Sequence, residues 1–113
     1  MAVASILVSE ADPDVRRLLV VLIERLGHVA VVLERGVEIL PRADLLLMDP
    51  AAAGSLDHAR LARQLYPDMP IVCMGARPSG QDYLFSGPIS LLEKPFTLEA
   101  LQSTLGLFAA SPV

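Results

Sequence analysis

Apolar and polar positions alternate along the chain in blocks that switch between two periods. SILVS (residues 5–9) is a short apolar run, too short for a helix on its own, and reads as a buried strand. Asp12-Pro13 follows, pairing a good N-cap with a residue suited to the first helical position, so a helix is expected to begin there. Val15, Leu18, Leu19, Leu22, Ile23 and Leu26 then recur at helical spacing as a core-facing stripe. Arg16, Arg17, Glu24 and Arg25 fall off that stripe, and Gly27 closes the segment. VAVVL (29–33) is a β-branched second strand. Residues 36–40 form a candidate brief helix stopped by Pro41, and DLLLMD (44–49) is a third strand ending in a carboxylate. Residues 56–66 read as a helix with Leu56, Ala59, Leu61, Ala62 and Leu65 as its apolar side, ended by Pro67. PIVCM (70–74) and PISLL (88–92) are the fourth and fifth strands, and Thr97 caps a last helix carrying Leu98, Leu101, Leu105 and Phe108. Between them, residues 76–87 contain Pro78, Gly80 and Gly87 and predict no regular helix. The tail 109–113 is expected to fray.

Strands alternating with helices imply an α/β fold whose parallel sheet is covered on both faces. Such sheets carry their chemistry at the carboxyl ends of the strands. The residues to inspect are therefore Glu10, Ala11 and Asp12, then Asp49, Gly75 and Lys94.

Composition narrows the classes. A chain of 113 residues, 53% hydrophobic and 19% charged, suits one domain (1–113) and argues against disorder. The net charge of −4, with no basic block, argues against direct nucleic-acid binding. No apolar run reaches membrane-spanning length, and the start lacks a secretory signal. A single cysteine, Cys73, leaves no internal disulfide framework. The expectation is a soluble, cytoplasmic protein with no membrane association.

In order, ILVSEADPDVRRLL, DLLLMD, PIVCMGAR and LLEKPFTLEAL resemble the receiver domains of two-component response regulators, over nearly the whole chain from residue 5 to 105. The resemblance implies a doubly wound, flavodoxin-like sheet of five parallel strands in the order 2-1-3-4-5, with the fourth helix shortened or missing. It implies that Asp49 accepts a phosphoryl group, that Lys94 supplies a positive charge, and that Pro95 stands where the family has a proline. It also implies Mg²⁺, with Glu10, Asp49 and Ala51 as metal positions, Ala51 having only main-chain oxygen to offer. The implied partners are a histidine kinase or phosphotransfer protein, and a homodimer is a further expectation. The implied role is signalling in a phosphorelay and not enzyme catalysis.

The pattern also departs from the family. Ala11 stands where a second acid usually follows the first strand, which weakens Mg²⁺ binding unless Glu10 or Asp12 compensates. Asp12 is first the helix N-cap. Gly75 replaces a Ser or Thr, Leu91 an aromatic residue and Ala53 a proline, while Pro50 removes an N–H beside Asp49. An atypical member is therefore expected. The alternative is a degenerate receiver serving as a phosphorylation-independent interaction or dimerisation module. A small nucleotide- or flavin-binding enzyme on the same sheet is a third reading. It is opposed by the absence of a phosphate loop and by only 4% aromatic residues.

The bland alternatives are a strand-end carboxylate for Asp49, a structural ion pair for Lys94, and a structural role for Glu10. His28 reads as a surface turn residue, His58 as lying on the polar side of its helix, and Cys73 as an inert core thiol. Ser9 has no base placed for it in this reading.

Overall fold

The computed structural model describes residues 3–75, 87–93 and 96–108. β1 (Ser5–Ser9), β2 (Val29–Val32), β3 (Leu45–Met48), β4 (Ile71–Met74) and β5 (Ile89–Leu92) form one sheet in the order β2-β1-β3-β4-β5. Every pairing is parallel. The three helices among the described residues are α1 (Pro13–Arg25), α2 (Ser55–Leu65) and α3 (Leu98–Phe108). The expected strand order is thus observed. The expected alteration of the fourth helix lies outside the described residues, as does the expected fraying of 109–113.

The central strands are continuous apolar runs because both faces of the sheet are covered. All four residues of β3 and all four of β4 are buried. On one face Ile6, Val8, Leu45, Leu47 and Val72 pack with Leu19 and Ile23 of α1 and Leu101 and Leu105 of α3. On the other, Leu7, Leu46, Met48, Ile71 and Cys73 pack with Ala59 and Ala62 of α2 and with Leu40. Each fully buried Leu or Ile contributes roughly 1.5–3 kcal/mol of transfer free energy. This double layer therefore fixes the strand register and, with it, the residues at the strand ends.

α1 follows its sequence signals. Asp12 Oδ1 accepts from the Asp14 and Val15 N–H groups at 2.9 and 3.2 Å, so Asp12 is engaged as the N-cap. At the other end Gly27 sits at φ +86° while His28 N–H donates to the Ile23 carbonyl and Gly27 N–H to that of Glu24. This closure needs the left-handed backbone that glycine adopts without penalty. Leu18 departs from the expected stripe. It is 55% exposed, because the helix turns Leu19 and Ile23 toward the sheet.

Two further expectations are corrected. Residues 36–40 form no helix: Gly36 stands at φ +80° and Pro41 follows, too few residues to nucleate one. The connection is instead anchored by Leu40, whose side chain is buried and whose carbonyl accepts from the Tyr66 hydroxyl at 2.7 Å. The buried face of α2 holds Ala59 and Ala62 as expected, with Leu56 and Leu61 partly buried on the same core, but it also takes in polar residues and leaves out Leu65. Ser55, His58, Ala59, Ala62 and Arg63 are buried, while Leu65 is 42% exposed. The small Ala59 and Ala62 let the helix approach the sheet closely.

Candidate functional site

Parallel pairing aligns Ser9 with Met48, Met48 with Cys73, and Met74 with Leu92, so the residues after each strand gather on one edge of the sheet. Glu10 follows Ser9 and Asp49 follows Met48. The Asp49 N–H donates to the Ser9 carbonyl at 3.2 Å, continuing the β1–β3 ladder past the last paired residues. The two acids therefore emerge from adjacent strand ends. Glu10 is buried, with Oε1 accepting from the Asp12 N–H at 3.2 Å. Asp49 is half-buried, and its Oδ1 accepts from the Ala51 N–H at 2.9 Å. That turn brings Ala51 back over the carboxylate even though Pro50 offers no N–H.

Of the sequence-predicted positions, the structure places Glu10 and Asp49 just past the ends of the adjacent strands β1 and β3, with the Ala51 N–H on Asp49. Lys94 and Pro95 lie outside the described residues. Ala11 is exposed at the same edge and has no side-chain oxygen. Gly75 follows β4 at φ +92°, with its N–H donating to the Leu92 carbonyl at 2.9 Å. The missing hydroxyl at this position thus coincides with a backbone conformation that L-residues resist. Leu91 is 44% exposed.

Among the described residues, no three His, Cys, Asp or Glu side chains converge as a metal cluster. Mg²⁺ does not require one, since it commonly binds through one or two carboxylates and keeps several waters. Two carboxylates from neighbouring strand ends are a donor set of that kind.

Sequence reasoning missed the polar network beneath this edge. Ser9, expected to lack a base, has its Oγ 2.6 Å from His58 Nδ1 and 2.8 Å from Ser55 Oγ. His58, expected on the polar side of its helix, is only 4% exposed. The signal was available as spacing: 55, 58, 59, 62 and 63 fall on one helical face, and a polar residue on such a face is buried when its hydrogen bonds are met. An open cleft of about 460 Å³ runs beside the network, lined in part by Glu10, Ala11, Arg16, Glu34 and Arg35. His28, expected as a surface turn residue, is half-buried and accepts from the Ala4 N–H through Nδ1 at 3.0 Å, at the sheet end away from Asp49. Cys73 is buried, as expected of a core thiol, with burial pushing its pKa up to about 11 against the opposing pull of the Arg63 charge.

No protein-family model and no curated protein matches the chain. Solved structures do. The receiver domain of a sensor histidine kinase from Pseudomonas aeruginosa PAO1, solved with magnesium coordinated in its active-site cleft, superposes with a TM-score of 0.76 at 24% identity, covering 95% of this chain and 98% of that one. The chemotaxis response regulator CheY4 of Vibrio cholerae gives 0.76 at 21% identity, covering 94% and 98%. NtrX from Brucella abortus gives 0.75 at 20% identity, with 96% of this chain matching 27% of that larger protein. The chain has the receiver fold. No helix among the described residues is long and apolar enough to cross a membrane.

Proposed function

We propose that this chain is a phosphoacceptor receiver module of two-component signalling, with Asp49 as acceptor and protein–protein contacts as output. One observation carries the reading: Glu10 and Asp49 leave adjacent parallel strands at the carboxyl edge, joined through the Asp49 N–H and the Ser9 carbonyl. In the proposed reaction a carboxylate oxygen of Asp49 attacks the phosphorus of a phosphohistidine on a kinase or phosphotransfer protein. An O–P bond forms and the P–N bond breaks. The imidazole, protonated at its other ring nitrogen, leaves with the P–N electron pair as the neutral ring.

The Ala51 N–H on Oδ1 orients the carboxylate for attack. On this reading Glu10, Asp49 and the Ala51 main chain hold Mg²⁺, which when bound neutralises the charge on the transferring oxygens. Lys94 is assigned the ammonium that balances charge from the other side.

A second reading, a phosphorylation-independent interaction module, draws on Ala11, on Leu91 and on Gly75 at φ +92°. It keeps the fold and dispenses with the hydroxyl-to-aromatic relay of the family. The experiment that separates the two is titration of the folded protein with beryllofluoride and Mg²⁺, followed through backbone amide spectra. Phosphoacceptor chemistry predicts saturable, Mg²⁺-dependent shifts centred on residues 49–52 and abolished in Asp49→Asn. A wild-type spectrum unmoved by saturating additive refutes it and leaves the interaction module.

A further inference from the structure

Ser9 is the last residue of β1 and the immediate neighbour of Glu10. Its carbonyl accepts twice, from the Asp49 N–H at 3.2 Å and from the Ser55 hydroxyl at 3.1 Å. Its own Oγ meets Ser55 Oγ at 2.8 Å and His58 Nδ1 at 2.6 Å. The other ring nitrogen, Nε2, lies 2.8 Å from the Glu34 carbonyl oxygen. A carbonyl only accepts, so Nε2 carries the hydrogen. In the neutral ring Nδ1 then accepts from the Ser9 hydroxyl. One imidazole thereby joins the end of β1, the chain just past β2, and the first turn of α2.

This join matters because of what stands between β3 and α2. Pro50 has no N–H, and Gly54, at φ +84°, caps α2 without a side-chain hydrogen bond. Within the turn, Ala51 N–H and Ala52 N–H both bond back to Asp49 itself. Those bonds hold the turn to the acceptor and not to the strand that carries Glu10. Ser55 and His58 supply side-chain hydrogen bonds from the start of α2 across to Ser9.

We infer that His58, acting through Ser9, is a positioning residue that sets the spacing of Asp49 and Glu10, and so tunes Mg²⁺-dependent phosphoryl acceptance. The second half rests on the function proposed above. The first half does not.

Two substitutions divide the ring's contacts. In His58→Asn the amide oxygen falls near the place of Nδ1 and accepts from Ser9, while the bond to Glu34 is lost. In His58→Gln the longer amide reaches the Glu34 carbonyl, while the Ser9 hydroxyl loses the ring and keeps only Ser55 Oγ. Both sacrifice one bond and similar buried volume, so a purely structural His58 predicts equal effects. Amide hydrogen exchange without metal or phosphodonor is measured first. The Asp49 amide is expected to exchange up to about tenfold faster in the glutamine variant, the factor that loss of one hydrogen bond's net stabilisation allows. It is expected to stay near wild type in the asparagine variant, with the Leu7 and Leu46 amides alike in both. Acetyl phosphate uptake then supplies the second readout. The Mg²⁺ concentration for half-maximal rate should rise several-fold in the glutamine variant only.

Equal Asp49 exchange in the two variants, or a uniform rise across the sheet, overturns the positioning role. If wild type takes up no phosphoryl group, the acceptor reading fails while the exchange data still decide the role of His58. Should either variant not fold, Ser9→Ala removes the same donor from the other side and is expected to match the glutamine result. Wild-type exchange at Asp49 in that protein overturns the inference equally.

Discussion

Replacing Arg63 with alanine removes a guanidinium buried at the end of the sheet opposite Asp49, and the size of the loss follows from its contacts. Arg63 is 7% exposed, on the last turn of α2. Its Nη1 donates to the Met69 carbonyl at 2.6 Å and more weakly to that of Pro67 at 3.4 Å, while Nη2 donates to the carbonyl of Pro88. The head group thus ties the turn before β4 to the residue just before β5. Gly87 leaves room for it: a Cβ there would fall 2.3 Å from the Pro67 oxygen and 2.8 Å from Arg63 Cζ. Two well-formed charge-assisted bonds contribute roughly 1.5–3 kcal/mol each. Removing the charge also removes its desolvation cost, and burial does hold the Arg63 pKa below its ordinary value. The net destabilisation expected for Arg63→Ala is about 2–4 kcal/mol. With a urea m-value of roughly 1–1.5 kcal/mol/M for a domain of this size, the midpoint should fall by about 2 M at unchanged slope. Arg63→Lys, which cannot span both carbonyls, should lose about half as much. An alanine variant within about 0.5 kcal/mol of wild type would show that the guanidinium is not the tie described.

Two other outcomes follow from groups in the sheet. The Cys73 pKa lies near 11 in the folded protein against 9.0 for an ordinary thiol, chiefly through burial. Below pH 9 both states keep the proton; above it the unfolded chain ionises first, so stability falls until the folded thiol titrates near 11. The full loss is roughly 2–3 kcal/mol, measurable as the difference between wild type and Cys73→Ala across that window, and identical pH slopes would contradict it. Gly75→Ser restores a hydroxyl to the fourth strand end but forces an L-residue to φ +92°. The expected cost is about 1–2 kcal/mol in thermal unfolding, and an unchanged melting temperature would separate the missing hydroxyl from the backbone geometry.

What could be seen beforehand divides by the kind of signal involved. The strands and α1 were legible because apolar period, Asp12-Pro13 and Gly27 agree with one another, and tertiary packing had no reason to override them. That Glu10 and Asp49 leave neighbouring strand ends followed from the strand order that the family resemblance implies. The buried face of α2 was only partly legible from hydrophobicity, which found Ala59 and Ala62 but also favoured Leu65. Packing brought Ser55, His58 and Arg63 inward beside those two small residues. A polar residue is buried only when distant segments supply its partners. Those partners, Ser9 and the Glu34 carbonyl for His58, and the Met69 and Pro88 carbonyls for Arg63, exist only once the sheet has formed. The helix expected over 36–40 failed for a related reason: local pattern cannot weigh a brief helix against anchoring Leu40 in the core.

The most direct test of the acceptor assignment is peptide-level mass analysis of the intact folded protein after incubation with acetyl phosphate and Mg²⁺. The account predicts a single added phosphoryl group on the peptide containing Asp49, labile to hydroxylamine as an acyl phosphate and absent when Mg²⁺ is chelated. An unmodified Asp49 peptide under saturating donor, or a stable adduct carried elsewhere on the chain, would contradict it.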